Sequence, residues 1–167
     1  MKILHSITWF VLLLACAICV GQTNNPSATQ TKKETTSTMH AKGPFDVKLS
    51  PQTSPELPQG VISRMSIDKT FHGDLEGTSK GEMLAAGSGG KGSSGGYVAL
   101  EQVTATLNGR KGTFVLQHSA TMTAGVPQLS IIVVPGSGTD QLAGLSGKMD
   151  IIITEGKHSY DFEYTLP

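Results

Sequence analysis

The stretch YVALEQVTATLNGRKGTFVLQHSATM, residues 97–122, decides the fold. In its first half Tyr97, Ala99, Glu101, Val103, Ala105 and Leu107 occupy every second position; in its second half Phe114, Leu116, His118, Ala120 and Met122 do the same. A repeat of two is that of a β-strand with one apolar face. Between the halves stands Asn108-Gly109, two residues that tolerate the positive φ of a tight hairpin turn. Joining the two apolar faces in a hairpin brings Glu101 opposite His118 or one step diagonal to it, both on the oily side.

A carboxylate and an imidazole on an inner wall can share a charge-assisted hydrogen bond, which lowers the cost of burying both. The same contact orients the imidazole, as a general acid or base requires. Two roles stay open for the pair: mutual satisfaction inside a core, or contact with a ligand or substrate. In the second, Glu101 and His118 are the candidate catalytic residues, and Tyr97, Glu101, His118 and Met122 the candidate ligand contacts.

Outward from the hairpin the same period recurs, with no sustained helical period. Phe45, Val47 and Leu49 share a face; after a Pro-rich connection, Met65, Ile67 and Phe71 align. In LEGTSKGEMLAA, residues 75–86, Leu75, Gly77, Ser79, Gly81, Met83 and Ala85 oppose Glu76, Thr78, Lys80 and Glu82. Further strands fall at 128–134, 148–154 and 159–166, and the connection 135–147 has room for a turn or one short helix. The result is about eight antiparallel strands joined by short links, an all-β chain that closes best into an eight-stranded barrel because closure removes exposed edges. A two-sheet sandwich is the alternative. Outward charges at Lys80, Glu82, Asp161 and Glu163 stand where an outer-membrane barrel needs an apolar band.

In this order the 87–96 loop and the 123–127 link share one rim, with His118 and Glu101 partway down from it. The glycine-rich loop reads as a connector, or alternatively as a lid. Small inward residues Gly77, Ser79, Gly81 and Ala85 suggest space for a guest, and Met65, Met83, Met122 and Met149 an adaptable lining; the alternative is a filled core.

The N-terminus reads differently. MKILHSITWFVLLLACAICVGQ carries Lys2, an apolar run from Ile7 to Leu14 and then small residues, the order of a signal peptide, with cleavage after Gly21. A lipoprotein reading would lipidate Cys16, but Leu14 fits that box poorly and Ile18, Cys19 and Val20 would leave an apolar stub. Both cysteines of the chain, Cys16 and Cys19, lie here, so no disulfide supports the fold. Residues 22–43 are rich in Ser and Thr with few large apolar groups, as in a disordered linker. The expected organisation is a leader at 1–21, a linker at 22–43 and a barrel at 44–167, in an exported, periplasmic or secreted protein with no membrane span.

Several classes are excluded. The formal net charge is zero, with no basic block, which argues against nucleic acid as a partner. GSGGKGSSGG, residues 87–96, lacks Ser or Thr after Gly90-Lys91 and opens no helix, so it is not a phosphate loop. His72, His118 and His158 are far apart, which leaves no metal spacing, and no nucleophile elbow or cofactor motif is present.

KTFHGDLEGTSKGEML, YVALEQVTATLNGRKGTFVLQHSATM, VVPGSGTDQLAGLSGKM and the closing YDFEYTLP resemble the family known as domain of unknown function 3224, over nearly all of Phe45 to Pro167. The resemblance implies a barrel similar to that of allene oxide cyclase. It implies no activity, since shared architecture does not transfer chemistry. Three readings of function follow: an exported barrel that binds a small, mainly apolar molecule; an isomerase or cyclase acting on a lipid-like substrate, with His118 as acid or base and Glu101 orienting it; or a purely structural barrel.

Overall fold

The computed structural model describes residues 37–57, 60–87 and 92–167. Eight strands run in order: β1 (Met39–Gln52), β2 (Ile62–Phe71), β3 (Leu75–Gly87), β4 (Gly95–Leu107), β5 (Arg110–Thr123), β6 (Val126–Val133), β7 (Ser146–Thr154) and β8 (Lys157–Thr165). Each pairs antiparallel with the next, and β1 with β8 closes the barrel. The leader and most of the expected linker lie outside the described residues. Met39 to Gly43, assigned to the linker from sequence, belong instead to β1 and pair with β8 from Tyr164 to Tyr160.

The Asn108-Gly109 turn has the expected positive φ, 45° and 83°, and Leu107 faces Arg110 across it. The β5–β6 and β7–β8 turns use the same geometry at Ala124-Gly125 and Glu155-Gly156. Their first residues lack the Asn or Asp signal, and the following glycine is the readable part.

Alternation sends one side of every strand inward. Towards the rim formed by the Asn108-Gly109 turn, the interior is packed with large side chains, among them Phe71, Leu107, Phe114, Leu116, Phe162 and Tyr164. Phe162 stacks on Phe114 at 5.8 Å and on Tyr164 at 5.2 Å between ring centroids. The β6–β7 connection supports this end. It contains a 3-10 turn at Asp140–Leu142, which places Leu142 and Leu145 in the core. Thr139 accepts the Thr113 amide and Ser137 the Val115 amide through their hydroxyls, both at 3.0 Å. The connection thus takes the place of a strand along the part of β5 that precedes its pairing with β6 at Leu116. That pairing demand explains why a 12-residue stretch without regular strand is held in one conformation.

Tyr160 ties the same end together. Its hydroxyl accepts the Leu75 amide at 2.8 Å and donates to the His72 carbonyl at 2.9 Å. Tyr160→Phe strands a buried donor and should cost about 1–3 kcal/mol in urea unfolding; a change within about 0.3 kcal/mol would contradict this role.

Outward charges pair with one another: Lys80 with Asp68 at 2.8 Å, Lys42 with Asp161 at 2.7 Å and Arg64 with Glu82 at 3.0 Å. Among the described residues no helix is long and apolar enough to cross a membrane.

Candidate functional site

The inner wall changes character halfway along the barrel. Four polar side chains are buried there among the described residues: Lys69, Ser79, Glu101 and His118. The β4–β5 register sets Ala99 against His118 and Glu101 against Leu116, so Glu101 and His118 meet on the diagonal. The β2–β3 register sets Lys69 against Ser79, and β3 brings Gly81 against Glu101. Four neighbouring strands therefore converge on one carboxylate.

Lys69 Nζ lies 2.7 Å from Glu101 Oε2, and His118 Nε2 lies 3.0 Å from the same oxygen. Ser79 donates its hydroxyl to Oε1. The Lys69 ammonium also sits over the Phe45 and Phe71 rings, 5.3 and 5.6 Å from their centroids, a contact that offsets part of its lost hydration. Burial alone would push the Glu101 carboxyl up; the His118, Lys69 and Ser79 contacts outweigh it and hold the carboxyl down to about 2. The ionised Glu101 carboxylate and His118 Nε2 are thus in close contact across the diagonal. The contact is close without being aligned as a hydrogen bond, and Nε2 has no hydrogen-bond partner among the described residues.

Lys69 and Ser79 complete the cluster, and neither is among the candidates drawn from the sequence. Lys69 has the same parity as Ile67 and Phe71, so the alternation does place it inside. A lysine is so rarely buried that its identity outweighs its position.

Towards the opposite rim lies an apolar pocket of about 330 Å³, lined by residues that include Ala85, Gly95, Tyr97, Ala120, Met122 and Leu129. It lies at the mouth on the β3–β6 side, and residues of outward parity, among them Ala86, Thr121 and Gln128, complete its rim. The Gly125 amide donates to the Ser93 carbonyl at 2.9 Å, and the Ala124 amide to the Ser94 hydroxyl at 3.0 Å, which ties the two links of this rim together. Residues 88–91 of the glycine-rich loop lie outside the described residues. Of the four ligand contacts expected from sequence, Tyr97 and Met122 line this pocket; Glu101 and His118 do not. They form its underlayer: the Tyr97 ring stands 6.5 Å from that of His118, between the imidazole and the mouth.

The small inward residues divide between two jobs. A Cβ at Gly77 would lie 2.6 Å from Ala105 Cα, and one at Gly81 2.9 Å from Glu101 Cα. These glycines let β3 and β4 approach closely rather than opening space. Ser79 is engaged with Glu101, and Ala85 alone of the four lines the pocket. Met149 is a core residue at 2% exposure, while Met122 is 37% exposed at the mouth. No group of three or more metal-binding side chains occurs among the described residues.

Comparison with known proteins bears on the whole barrel. The family model described as "Protein of unknown function (DUF3224)" matches residues 41–164. A crystal structure of a protein of unknown function from the DUF3224 family of Shewanella oneidensis MR-1 is similar at 47% identity and a TM-score of 0.72, covering 78% of this chain and 99% of that one. No curated protein matches the chain.

Proposed function

The chain belongs to the DUF3224 family, and from that premise we propose that its barrel is a binding module that takes a small, mainly apolar molecule into the mouth. The observation that carries this is the pocket itself: about 330 Å³, within the size range of small-molecule sites, apolar-walled and bearing the Tyr97 ring. Glu101, His118 and Lys69 form a rigid floor, so the guest stops at Tyr97 rather than entering the packed half. Read as a signal peptide, the N-terminal stretch 1–21 would make the module an exported one.

Ala120→Trp tests the reading by filling the mouth from β5. N-phenyl-1-naphthylamine, a neutral apolar dye that brightens on leaving water, should bind the wild-type protein and bind Ala120→Trp at least about tenfold more weakly. Equal emission from the two proteins would overturn the proposal.

A further inference from the structure

We propose that the mouth pocket selects neutral molecules carrying one hydrogen-bond-accepting oxygen, of the ketone, ester or ether type, on an apolar body, and rejects carboxylates of the same size. The inference rests on the pocket reading above and adds the chemistry of the guest.

The three tyrosines of the chain separate cleanly. Tyr160 bonds the Leu75 amide and the His72 carbonyl, and Tyr164 accepts from the Asn108 side-chain amide at 2.9 Å. The Tyr97 hydroxyl has no hydrogen-bond partner among the described residues, although Tyr97 lines the pocket. The other inward residues of the wall, Ala85, Ala120, Met122, Pro127 and Leu129, carry no side-chain N–H or O–H. Thr121 and Gln128, also at this rim, have outward parity and pair with each other at 3.5 Å. Ser93, Ser94, Thr121 and Gln128 also bring side-chain donors to the pocket rim, with the Ser94 hydroxyl accepting the Ala124 amide at 3.0 Å; Tyr97 is the donor that stands at an inward strand position.

Nothing in the described wall is free to neutralise an anion. Lys69, the buried cation beneath, is held at 2.7 Å by Glu101 and is 5% exposed. His118 Nε2 lies 3.0 Å from the same carboxylate oxygen. An anionic guest would have to shed its water without gaining a counter-charge. Burial, and after it the Glu101 charge, push the Tyr97 hydroxyl above its usual range, so it remains a donor.

The test displaces N-phenyl-1-naphthylamine at pH 7 with 2-nonanone, nonanoate and nonane. 2-Nonanone should act at a concentration at least about tenfold lower than either competitor, the scale of one hydrogen bond. Tyr97→Phe should bring the ketone to the level of nonane, while Thr104→Ser, on the outward face of the same strand and away from the pocket, should preserve the ketone preference. Nonanoate matching or exceeding 2-nonanone, or a ketone preference surviving in Tyr97→Phe, would overturn the assigned chemistry and leave the pocket standing. Failure of the dye and of all three probes to bind the wild-type protein would overturn the pocket reading, and this one with it.

Discussion

Glu101→Ala is expected to destabilise the barrel by about 3–5 kcal/mol in urea unfolding, among the largest effects of any single substitution in the chain. The reason is what it leaves behind. Lys69 is 5% exposed and draws its nearest negative charge from Glu101, so the variant buries an ammonium against Phe45 and Phe71 with no counter-charge. Ser79 and His118 lose the same partner. The double variant Lys69→Met, Glu101→Leu removes both charges at similar volume and should recover most of the loss. A double variant as unstable as the single one would contradict this account.

The same carboxylate sets an acid limit. Its folded value lies at about 2 against an ordinary 4.5. A depressed value means that the stabilisation is complete above the unfolded value and is lost as pH falls from about 4.5 through 2. Two and a half units correspond to roughly 3 kcal/mol. Wild-type stability should therefore fall more steeply below pH 4 than that of Glu101→Gln; parallel pH profiles would contradict the depressed value.

Phe162→Ala should cost a further independent 3–5 kcal/mol or about that, measured in the same way. Phe162 is fully buried between Phe114 and Tyr164, in the half of the barrel that Leu142 and Leu145 close off. The packing around it is anchored by strands on several sides and has little freedom to collapse into the space. Met122→Ala, at the mouth, removes a side chain that is 37% exposed and should change stability by less than about 1 kcal/mol. Similar losses for the two substitutions would mean that the two ends of the barrel do not differ as described.

The barrel was legible because alternation with a period of two is repeated along nearly the whole chain, and because Asn108-Gly109 pins the central hairpin. The start of β1 was not, for a local reason. Met39, Ala41 and Gly43 do alternate inward, and Ala41 is fully buried, but alanine and glycine are weak strand formers. Tertiary pairing with β8 supplies what local preference lacks. The Glu101–His118 contact followed from the apolar faces alone, with the register deciding in favour of the diagonal. Lys69 was hidden by its chemistry rather than its position, because only a partner two strands away, Glu101 on β4, makes its burial tolerable. The pocket was harder still: it depends on where the large side chains stop, and glycines that read as empty space are occupied by the neighbouring strand.

Methionine-methyl NMR, with 2-nonanone added to the 13C-methyl-labelled protein, tests the central claim most directly. Met122 lines the mouth, and Met149 lies in the packed half at 2% exposure. A guest in the mouth should shift the Met122 methyl and leave that of Met149 in place. An unmoved Met122 signal, or a Met149 signal that moves with it, would contradict the account.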